Sequence, residues 1–188
     1  MLIGILALQG DYLLHANLLN DNNINNILIK NPDHLSKIDG LIIPGGESTV
    51  ILKLLYEYGF NEELKKFNKN KYIYGTCAGA IIMSHSTEDD MNTFDFINVK
   101  SYRNFWGRQI HSFTDKIDLT FTKYKFDAHF IRAPKFECLS RDLQILSIYD
   151  SKPILIRNNK HLISSFHPEM TNNFVIHEYF IDMINGKV

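Results

Sequence analysis

The first half of the chain alternates short apolar runs with segments of helical spacing. Residues 1–8 form a continuous apolar run, which is typical of a strand buried on both faces of a sheet. The pattern predicts further strands at residues 27–30, 40–43 and 72–75. It predicts helices at residues 12–19, from a cap at Ser48 or Thr49 to about residue 58, and at 62–67. This β-α-β-α order predicts a parallel sheet with right-handed crossovers and helices on both faces.

The second half is richer in strand-like patterns. Apolar side chains alternate with polar ones at Ile117, Leu119 and Phe121, which indicates a strand. Further strands are predicted at residues 126–131, 144–149, 153–157 and 161–166, followed by a closing helix at 174–185. The polar stretch 86–96 predicts a surface loop. Because no linker or internal repeat divides the chain, we predict one domain over residues 1–188. Its expected class is three-layer α/β, with a mostly parallel central sheet flanked by helices.

Composition narrows the classes of protein that need be considered. The 188 residues, 45% of them hydrophobic, suffice for one full core. A net charge of −1 without long runs of one sign argues against nucleic acid or an anionic membrane as the main partner. No apolar stretch is long enough to cross a bilayer, and the apolar N-terminus lacks the basic lead-in of a signal peptide. Two cysteines without metal-type spacing favour a reducing cytoplasm.

The most informative motif is Gly75-Thr76-Cys77-Ala78-Gly79, between a predicted strand and an apolar helical pattern. Small residues flank a nucleophile at such a bend because the turn crowds its neighbours and forces strained backbone angles. The following helix directs free N–H groups and its positive end toward the sulfur, which favours thiolate. We therefore interpret Cys77 as a nucleophile in a nucleophile elbow. The alternative is a small buried apolar cysteine, the usual fate of a free cysteine.

A thiolate nucleophile needs a base, and the base usually needs an orienting acid. Among eight histidines, His167 stands out because it follows a predicted strand, as Cys77 does. Functional groups gather at the carboxyl ends of parallel strands. Pro168 biases His167 toward an extended conformation, in which residues two apart point the same way, so Glu169 could orient the ring. For His-Pro-Glu alone, a strand-end turn with a solvated glutamate remains the alternative.

The other histidines have ordinary interpretations at this stage. His15, His34 and His177 lie in helical or polar segments, and His161 follows a polar turn. His167 is therefore the histidine to which we assign chemistry.

Two further segments carry binding chemistry. Gly45 and Gly46 follow the strand at 40–43, where glycines let the backbone approach a ligand and offer N–H groups to an oxyanion. The N–H of Ala78 would be the second donor; a plain Gly-Gly turn is the alternative. Arginines lie in the segment 103–109 and at residue 132, where they suit a carboxylate substrate or a protein partner. Ordinary surface ion pairs would also explain them.

In this order, the motifs resemble the glutaminase-subunit family of pyridoxal 5′-phosphate synthase, within the class I, triad-type glutamine amidotransferases. The likeness covers nearly the whole chain, at residues 4–10, 44–49, 75–79, 103–104 with 107–109, 130–134 and 166–169. The Cys and His-x-Glu elements are shared across amidotransferases. The Leu-Gln-Gly, Gly-Gly-Glu-Ser-Thr, Arg-Asn-x-x-Gly-Arg-Gln and Ile-Arg-Ala-Pro segments are more particular to this family.

The resemblance implies an enzyme that hydrolyses L-glutamine with water to L-glutamate and ammonia. Cys77 would form a thioester, His167 would protonate the departing ammonia and then activate water, and Glu169 would orient His167. The resemblance implies a glutamine site made of Gly46, Glu47, Ser48, Arg103, Ile131 and Arg132. It implies an oxyanion hole from the Gly45–Gly46 region and Ala78, with no metal and no cofactor.

The resemblance also implies a partner. Ammonia would pass to a separate (β/α)8-barrel synthase subunit in a hetero-oligomer, whose docking switches the glutaminase on. Gln9 matches a position near the docking face. Three alternatives stay open: a different synthase, such as an imidazole-glycerol-phosphate partner; a catalytically silent binding module; and a cysteine peptidase or esterase on a related fold.

Overall fold

The apolar runs of the sequence build a layered α/β structure. The computed structural model describes residues 1–87, 91–106 and 112–188. The strands of this described part are β1 (Ile3–Leu6), β2 (Asn26–Ile29), β3 (Gly40–Ile43), β4 (Tyr72–Thr76), β5 (His85–Ser86), β6 (Val99–Tyr102), β7 (Phe113–Ile117), β8 (Phe126–Phe130), β9 (Lys135–Cys138), β10 (Gln144–Tyr149), β11 (Lys152–Arg157) and β12 (His161–Ser164). The α-helices are α1 (Tyr12–Asp21), α2 (Ser48–Glu57), α3 (Phe60–Asn70), α4 (Ala78–Met83) and α5 (Val175–Ile184).

The central sheet confirms the predicted class. Its strand order is β10-β11-β12-β4-β3-β1-β2. The five strands from β12 to β2 are parallel, whereas β10 and β11 add an antiparallel edge. Helical crossovers between successive parallel strands are the connections that such a sheet requires.

Alternate side chains of the parallel strands enter two separate cores. On β3, Leu41 and Ile43 pack into the core that contains α2, α3 and α4. Ile42, between them, packs into the opposite core with residues of α1 and α5. Because both faces of the sheet are covered, the strands read as continuous apolar runs in the sequence. Helices, sheet and helices therefore make the three predicted layers.

Several element boundaries differ from the predictions. Ile117, Leu119 and Phe121 do not share a strand: β7 ends at Ile117, and Leu119 is buried in the loop that follows. The alternation there reflects core contacts of a loop rather than a pleated strand. The cap predicted at Ser48 or Thr49 is also wrong, because the residue preceding α2 is Glu47 and its side chain makes no capping hydrogen bond.

A second, smaller sheet with the order β5-β6-β9 was not predicted. Strands β6 and β9 are four residues long, and β6 alternates buried Val99 and Ser101 with partly exposed neighbours. Such short alternations are hard to tell from a loop. Of the predicted loop 86–96, Ser86 belongs to β5 and residues 91–96 lie outside helices and strands, while 88–90 are outside the described residues.

The pairing of β4 with β12 sets the position of the candidate chemistry. Gly75 lies opposite Ile163 and Thr76 opposite Ser164 in parallel register. Beyond the last pair, the Cys77 N–H donates to the Ser164 carbonyl oxygen at 2.9 Å. The two strands therefore end side by side, and the residues that follow each strand emerge at the same edge of the sheet.

None of the helices in the described ranges combines the length and apolar character needed to pass through a lipid bilayer.

Replacing Gly79 by alanine tests the close packing of α4 on β3. A methyl group at Gly79 would collide with the carbonyl oxygen of Ile43. We expect Gly79→Ala to lower the free energy of unfolding by about 1–3 kcal/mol, as overpacking does. Urea denaturation of both proteins measures the change.

Gly59→Asn is the matched control, since Gly59 has φ 72° and open space around its Cβ position. Asparagine tolerates the left-handed conformation, so this variant should stay close to the parent protein. Equal stability of the two variants would contradict the packing described for α4.

Candidate active site

Cys77 forms the sharp bend between β4 and α4 by itself. Its backbone angles are φ 45° and ψ −101°, an unusual conformation for a residue with a side chain. Strain of this kind costs about 1–3 kcal/mol and persists only where neighbouring structure holds it. The hydrogen bond from the Cys77 N–H to Ser164 is one such restraint. The predicted elbow is thus present as a backbone feature.

The glycines beside the elbow serve close packing rather than strained angles. Neither Gly75 nor Gly79 has a positive φ. A side chain at Gly75 would collide with the backbone of Gly79, and one at Gly79 would collide with β3. The strain predicted for the flanking residues is therefore carried by Cys77, and the glycines allow α4 to lie directly against β4 and β3.

His167 lies just after β12, beside the elbow. Its N–H donates to the His129 carbonyl oxygen at 2.9 Å, and its Nδ1 lies 2.7 Å from Glu169 Oε1. Glu169 reaches the ring because Pro168–Met170 forms a 3-10 turn, not through the extended segment predicted from Pro168. A Cβ at Gly45 would collide with the imidazole ring, so this glycine makes room for His167.

The charges of this group support one another. Burial opposes the charged form of His167, but the negative charges of Cys77 and Glu169 outweigh it and raise the pKa of His167 well above its ordinary value. Burial also opposes ionisation of Glu169, but His15 and His167 lower the pKa of that carboxyl group to about 2. The arrangement therefore favours a charged His167 ring beside an ionised Glu169 at neutral pH.

A cavity of about 240 Å³ opens over the sulfur. This is small beside the roughly 300–1,000 Å³ of drug-sized ligand sites, and it suits a ligand of amino-acid size. Cys77, Ala78 and His167 line its base. The walls include all six predicted glutamine-site residues: Gly46, Glu47, Ser48, Arg103, Ile131 and Arg132. Gln9 also borders the cavity, whereas Glu169 and Gly45 lie behind His167 and do not line it.

Glu47 connects the two arginines of the cavity. Its Oε1 lies 3.4 Å from Arg103 Nη2, and its Oε2 lies 3.3 Å from Arg132 Nη1. The arginines come from separate loops, which are joined where the Trp106 N–H donates to the Ala133 carbonyl oxygen at 3.2 Å. Two cationic groups and one anionic group thus line one wall. Such a wall can pair with the carboxylate and the ammonium group of an amino acid.

The glycine loop after β3 is held by residues of the loop after β1. The Gln9 Oε1 accepts a hydrogen bond from the Glu47 N–H at 3.0 Å, and the Gly45 carbonyl accepts one from the Asp11 N–H at 3.2 Å. Gly46 has φ 151°, which favours glycine. A contact made at Gln9 would therefore bear directly on the backbone of the loop that contains Gly46.

Sequence reasoning missed three residues of the cavity: Asp11, Ile81 and Asn104. Asp11 Oδ2 lies 3.9 Å from His167 Nδ1, and the side chain is half exposed. No motif distinguishes Asp11 from a solvated turn residue, since its position depends on the fold of the loop after β1. The predicted segment 107–109, with Arg108, lies outside the described residues.

Asp11, His167 and Glu169 could each offer one ligand atom to a metal ion, because these atoms lie within 4.8 Å of one another. Two of the three already bond to each other, through His167 Nδ1 and Glu169 Oε1. We interpret the group as an oriented base with its acid, because that arrangement also accounts for the adjacent sulfur.

Comparison with known proteins agrees with this geometry. A model of the SNO glutamine amidotransferase family matches residues 5–186. A pyridoxal 5′-phosphate synthase subunit PdxT from Fervidobacterium nodosum is 37% identical over 186 residues, covering 98% of this chain and 97% of the relative. A protein of the same name from Francisella tularensis is 41% identical over 181 residues, covering 96% and 98%.

Solved structures agree as well. A crystal structure of a glutamine amidotransferase superposes with a TM-score of 0.91 at 35% identity, covering 97% of this chain and 98% of the other. A putative GMP synthase subunit from Thermoplasma acidophilum, at 15% identity and a TM-score of 0.69, shares the fold.

Titration of His167 tests the charge arrangement. Replacing Cys77 by alanine removes a neighbour that raises the pKa of His167, so this pKa should fall. We expect the ring of the parent protein to remain charged above pH 7, and the ring in Cys77→Ala to lose its proton at lower pH. Nuclear magnetic resonance of the imidazole signals measures both. Cys138→Ala removes the other free thiol and should leave the titration unchanged. Identical titrations in all three proteins would refute the pairing.

Proposed function

The chain belongs to the SNO glutamine amidotransferase family, and from this membership we propose that it hydrolyses L-glutamine to L-glutamate and ammonia through a thioester on Cys77. The observation that carries the proposal is the convergence of Cys77, His167 and Glu169 beneath a cavity of amino-acid size. A nucleophile, a base and an orienting carboxylate are the parts that amide hydrolysis requires.

In the first half of the reaction, the Cys77 thiolate attacks the side-chain amide carbon of glutamine. The imidazolium of His167 donates its proton to the nitrogen, and ammonia leaves as the thioester forms. In the second half, neutral His167 removes a proton from water, which attacks the thioester and releases glutamate. Glu169 stays ionised throughout and holds the ring in one orientation. The N–H groups of Ala78 and of the Gly45–Gly46 loop would bind the oxyanion in both halves.

The charged wall of the cavity accounts for an α-amino acid substrate. The α-carboxylate of glutamine would pair with Arg103 and Arg132, and its ammonium group with Glu47. Because the substrate adds one charge of each sign, the net charge of the wall is unchanged on binding. The Ile131 carbonyl oxygen lies 3.6 Å from the sulfur. There it can accept a hydrogen bond from the amide NH₂ group, which a carboxylic acid lacks. Ser48, buried at the start of α2, completes this wall.

We infer further that the ammonia serves pyridoxal 5′-phosphate synthesis. The relatives from Fervidobacterium and Francisella are named as subunits of that synthase. The proposed partner is the (β/α)8-barrel synthase subunit, and the proposed compartment is the cytoplasm, which suits two free cysteines. Contact near Gln9 would reach the Gly46 loop, and so offers a route by which docking could complete the oxyanion hole. The whole chain would act as one glutaminase domain.

Removing the nucleophile tests the reaction. Cys77→Ala should reduce glutamate formation by at least about 1,000-fold, because the variant lacks the sulfur that carries the proposed acyl intermediate. The assay follows glutamate with and without the barrel subunit of a relative, and activity of the parent protein should be higher with it. Cys138→Ala is the control and should retain parental activity. Hydrolysis that survives Cys77→Ala would refute the proposed chemistry. A parent protein inactive in both conditions would favour a silent binding module.

Replacing Arg132 by glutamine tests recognition of the α-carboxylate. We expect KM for glutamine to rise about 10- to 100-fold with kcat changed much less, because the lost ion pair acts on binding. The analogue 4-aminobutanamide lacks the α-carboxylate, so the variant and the parent should bind it equally. Arg141→Gln, at an exposed position between β9 and β10, is the matched control. An equal loss for both ligands would contradict the assignment.

A further inference from the structure

Two buried histidines lie behind the triad, outside the cavity. His15 comes from α1 and His177 from α5, and both side chains are fully buried. The two helices belong to the same layer, whose other inward residues are apolar, among them Ala16, Leu19 and Ile176. Imidazole rings are costly to bury in such a layer, so their presence there calls for a physical reason.

The two rings form a chain that ends at the triad carboxylate. His177 Nε2 lies 2.8 Å from His15 Nδ1. The other nitrogen of His15, Nε2, lies 3.5 Å from Glu169 Oε2 and 3.3 Å from the Thr76 hydroxyl oxygen. The opposite carboxylate oxygen, Oε1, is bonded to His167. Glu169 is therefore held between a histidine that faces the sulfur and a histidine that faces the protein interior.

The proton positions follow from what each atom can accept. Ionised Glu169 only accepts hydrogen bonds, so His15 must present a protonated Nε2 to avoid facing lone pairs. Burial lowers the pKa of His15, which is then neutral at neutral pH and has an unprotonated Nδ1. His177 must donate from Nε2 to that atom. Its own Nδ1 is then an acceptor, and it has no hydrogen-bond partner among the described residues.

The unpartnered Nδ1 of His177 argues against a purely structural role for the pair of His15 and His177. A pair retained only to satisfy its own polar groups would not leave one buried nitrogen without a partner. The direction of the chain instead turns an N–H toward Glu169 Oε2 at 3.5 Å, and no hydrogen bond reaches that oxygen from the described residues. An ionised oxygen left bare in the interior is more costly than a neutral acceptor. A ring N–H that faces the carboxylate lowers this cost, and the neutral acceptor without a partner lies at the far end of the chain, on His177.

We propose that His15, oriented by His177, is a positioning residue that directs its Nε2–H at Glu169 Oε2 and so stabilises the carboxylate that orients His167. This inference rests on the proposed glutaminase function, whose triad it supports. His15 touches neither the cavity nor the sulfur, so its effect passes through Glu169. It gives the helix layer of α1 and α5 a role in the chemistry.

The charged and titratable groups around His15 come from several elements. Glu169 and His167 face it from the loop after β12, Asp11 from the turn before α1, and His177 from α5. Tyr74 of β4 lies against His177, and burial keeps its pKa well above the ordinary value. Burial lowers the pKa of His177 to about 3, so this ring stays neutral. Within this set, His15 is the neutral donor nearest Glu169 Oε2.

Two variants of His15 separate hydrogen bonding from packing. Glutamine can place an amide N–H close to the position of Nε2, whereas leucine fills similar space without a donor. We expect His15→Leu to lower kcat about 10- to 100-fold with little change in KM. In the pH profile of kcat/KM, the acid limb of this variant should move to higher pH, because Glu169 loses an N–H that stabilises its charged form. His15→Gln should recover most of kcat and the parental pH profile.

His161→Gln is the matched control for the loss of a buried imidazole. His161 begins β12 at the opposite end of the sheet, where it bonds to Asn68. This variant should lose stability but keep the parental acid limb. The positioning role is wrong if His15→Leu lowers only the amount of folded enzyme. In that case His15→Leu and His161→Gln would have the same pH profile and the same KM. The positioning role is also wrong if His15→Gln fails to recover activity while remaining folded.

A second measurement needs no turnover. Nitrogen-15 signals of the histidine rings in the parent protein should show His15 and His177 neutral and protonated at Nε2 at pH 7. A His15 protonated at Nδ1 would overturn the proposal even if the variants do not fold. Should the parent protein prove inactive on glutamine, the glutaminase proposal fails, while these signals still decide whether His15 turns a protonated Nε2 toward Glu169.

Discussion

The parallel pairing of β4 with β12 is the constraint on which the site depends. Thr76 and Ser164 are the last residues in register, and the next residue along the chain, Cys77, still donates its N–H to the Ser164 carbonyl oxygen. A slip of one residue would turn every side chain of one strand to the other face and separate the sulfur from the imidazole. Because both strands are buried on each side, the two cores fix this register strongly.

The electrostatics of the site follow from that placement. The strands end together, so His167 meets the thiol on one side and Glu169 on the other. Both neighbours favour the charged ring against the cost of burial. Bringing mobile surface side chains into such an arrangement would cost free energy. Here the backbone holds Cys77, His167 and Glu169 in place before substrate binds. In the proposed function, the open wall with Glu47 and two arginines would recognise the substrate, and the buried layer with His15 would support Glu169.

Much of this could be predicted from the sequence, because the decisive signals are local. The run before Cys77 and the glycines around it indicate an elbow, and His167 follows a strand in the same way. Resemblance to a family supplied Glu47, Arg103, Ile131 and Arg132, which line the cavity as expected. The strands β6 and β9 were not predicted, because an alternation over four residues is hard to tell from a loop. The alternation at Ile117, Leu119 and Phe121 misled because buried loop residues can imitate a strand.

The contributions of Asp11, His15 and His177 could not be predicted, for a different reason. Each lies in a segment with an ordinary local explanation, and only the packing of α1 and α5 on the sheet brings the two rings to Glu169. A buried polar residue on an apolar helix face is a weak signal in one sequence, since its partner is unknown until the fold is known. Sequence motifs therefore predicted the proposed reacting groups, whereas the groups that surround them depend on the tertiary fold.

Covalent labelling tests the central claim most directly, that Cys77 is an activated nucleophile in a glutamine-shaped cavity. The protein, with the barrel subunit present, is treated with a glutamine-like chloroketone and mapped by peptide mass spectrometry. The account predicts modification of Cys77 and not of Cys138, with protection by L-glutamine but not by D-glutamine. A Cys77 that remains unmodified, or reacts without regard to L-glutamine, would contradict it.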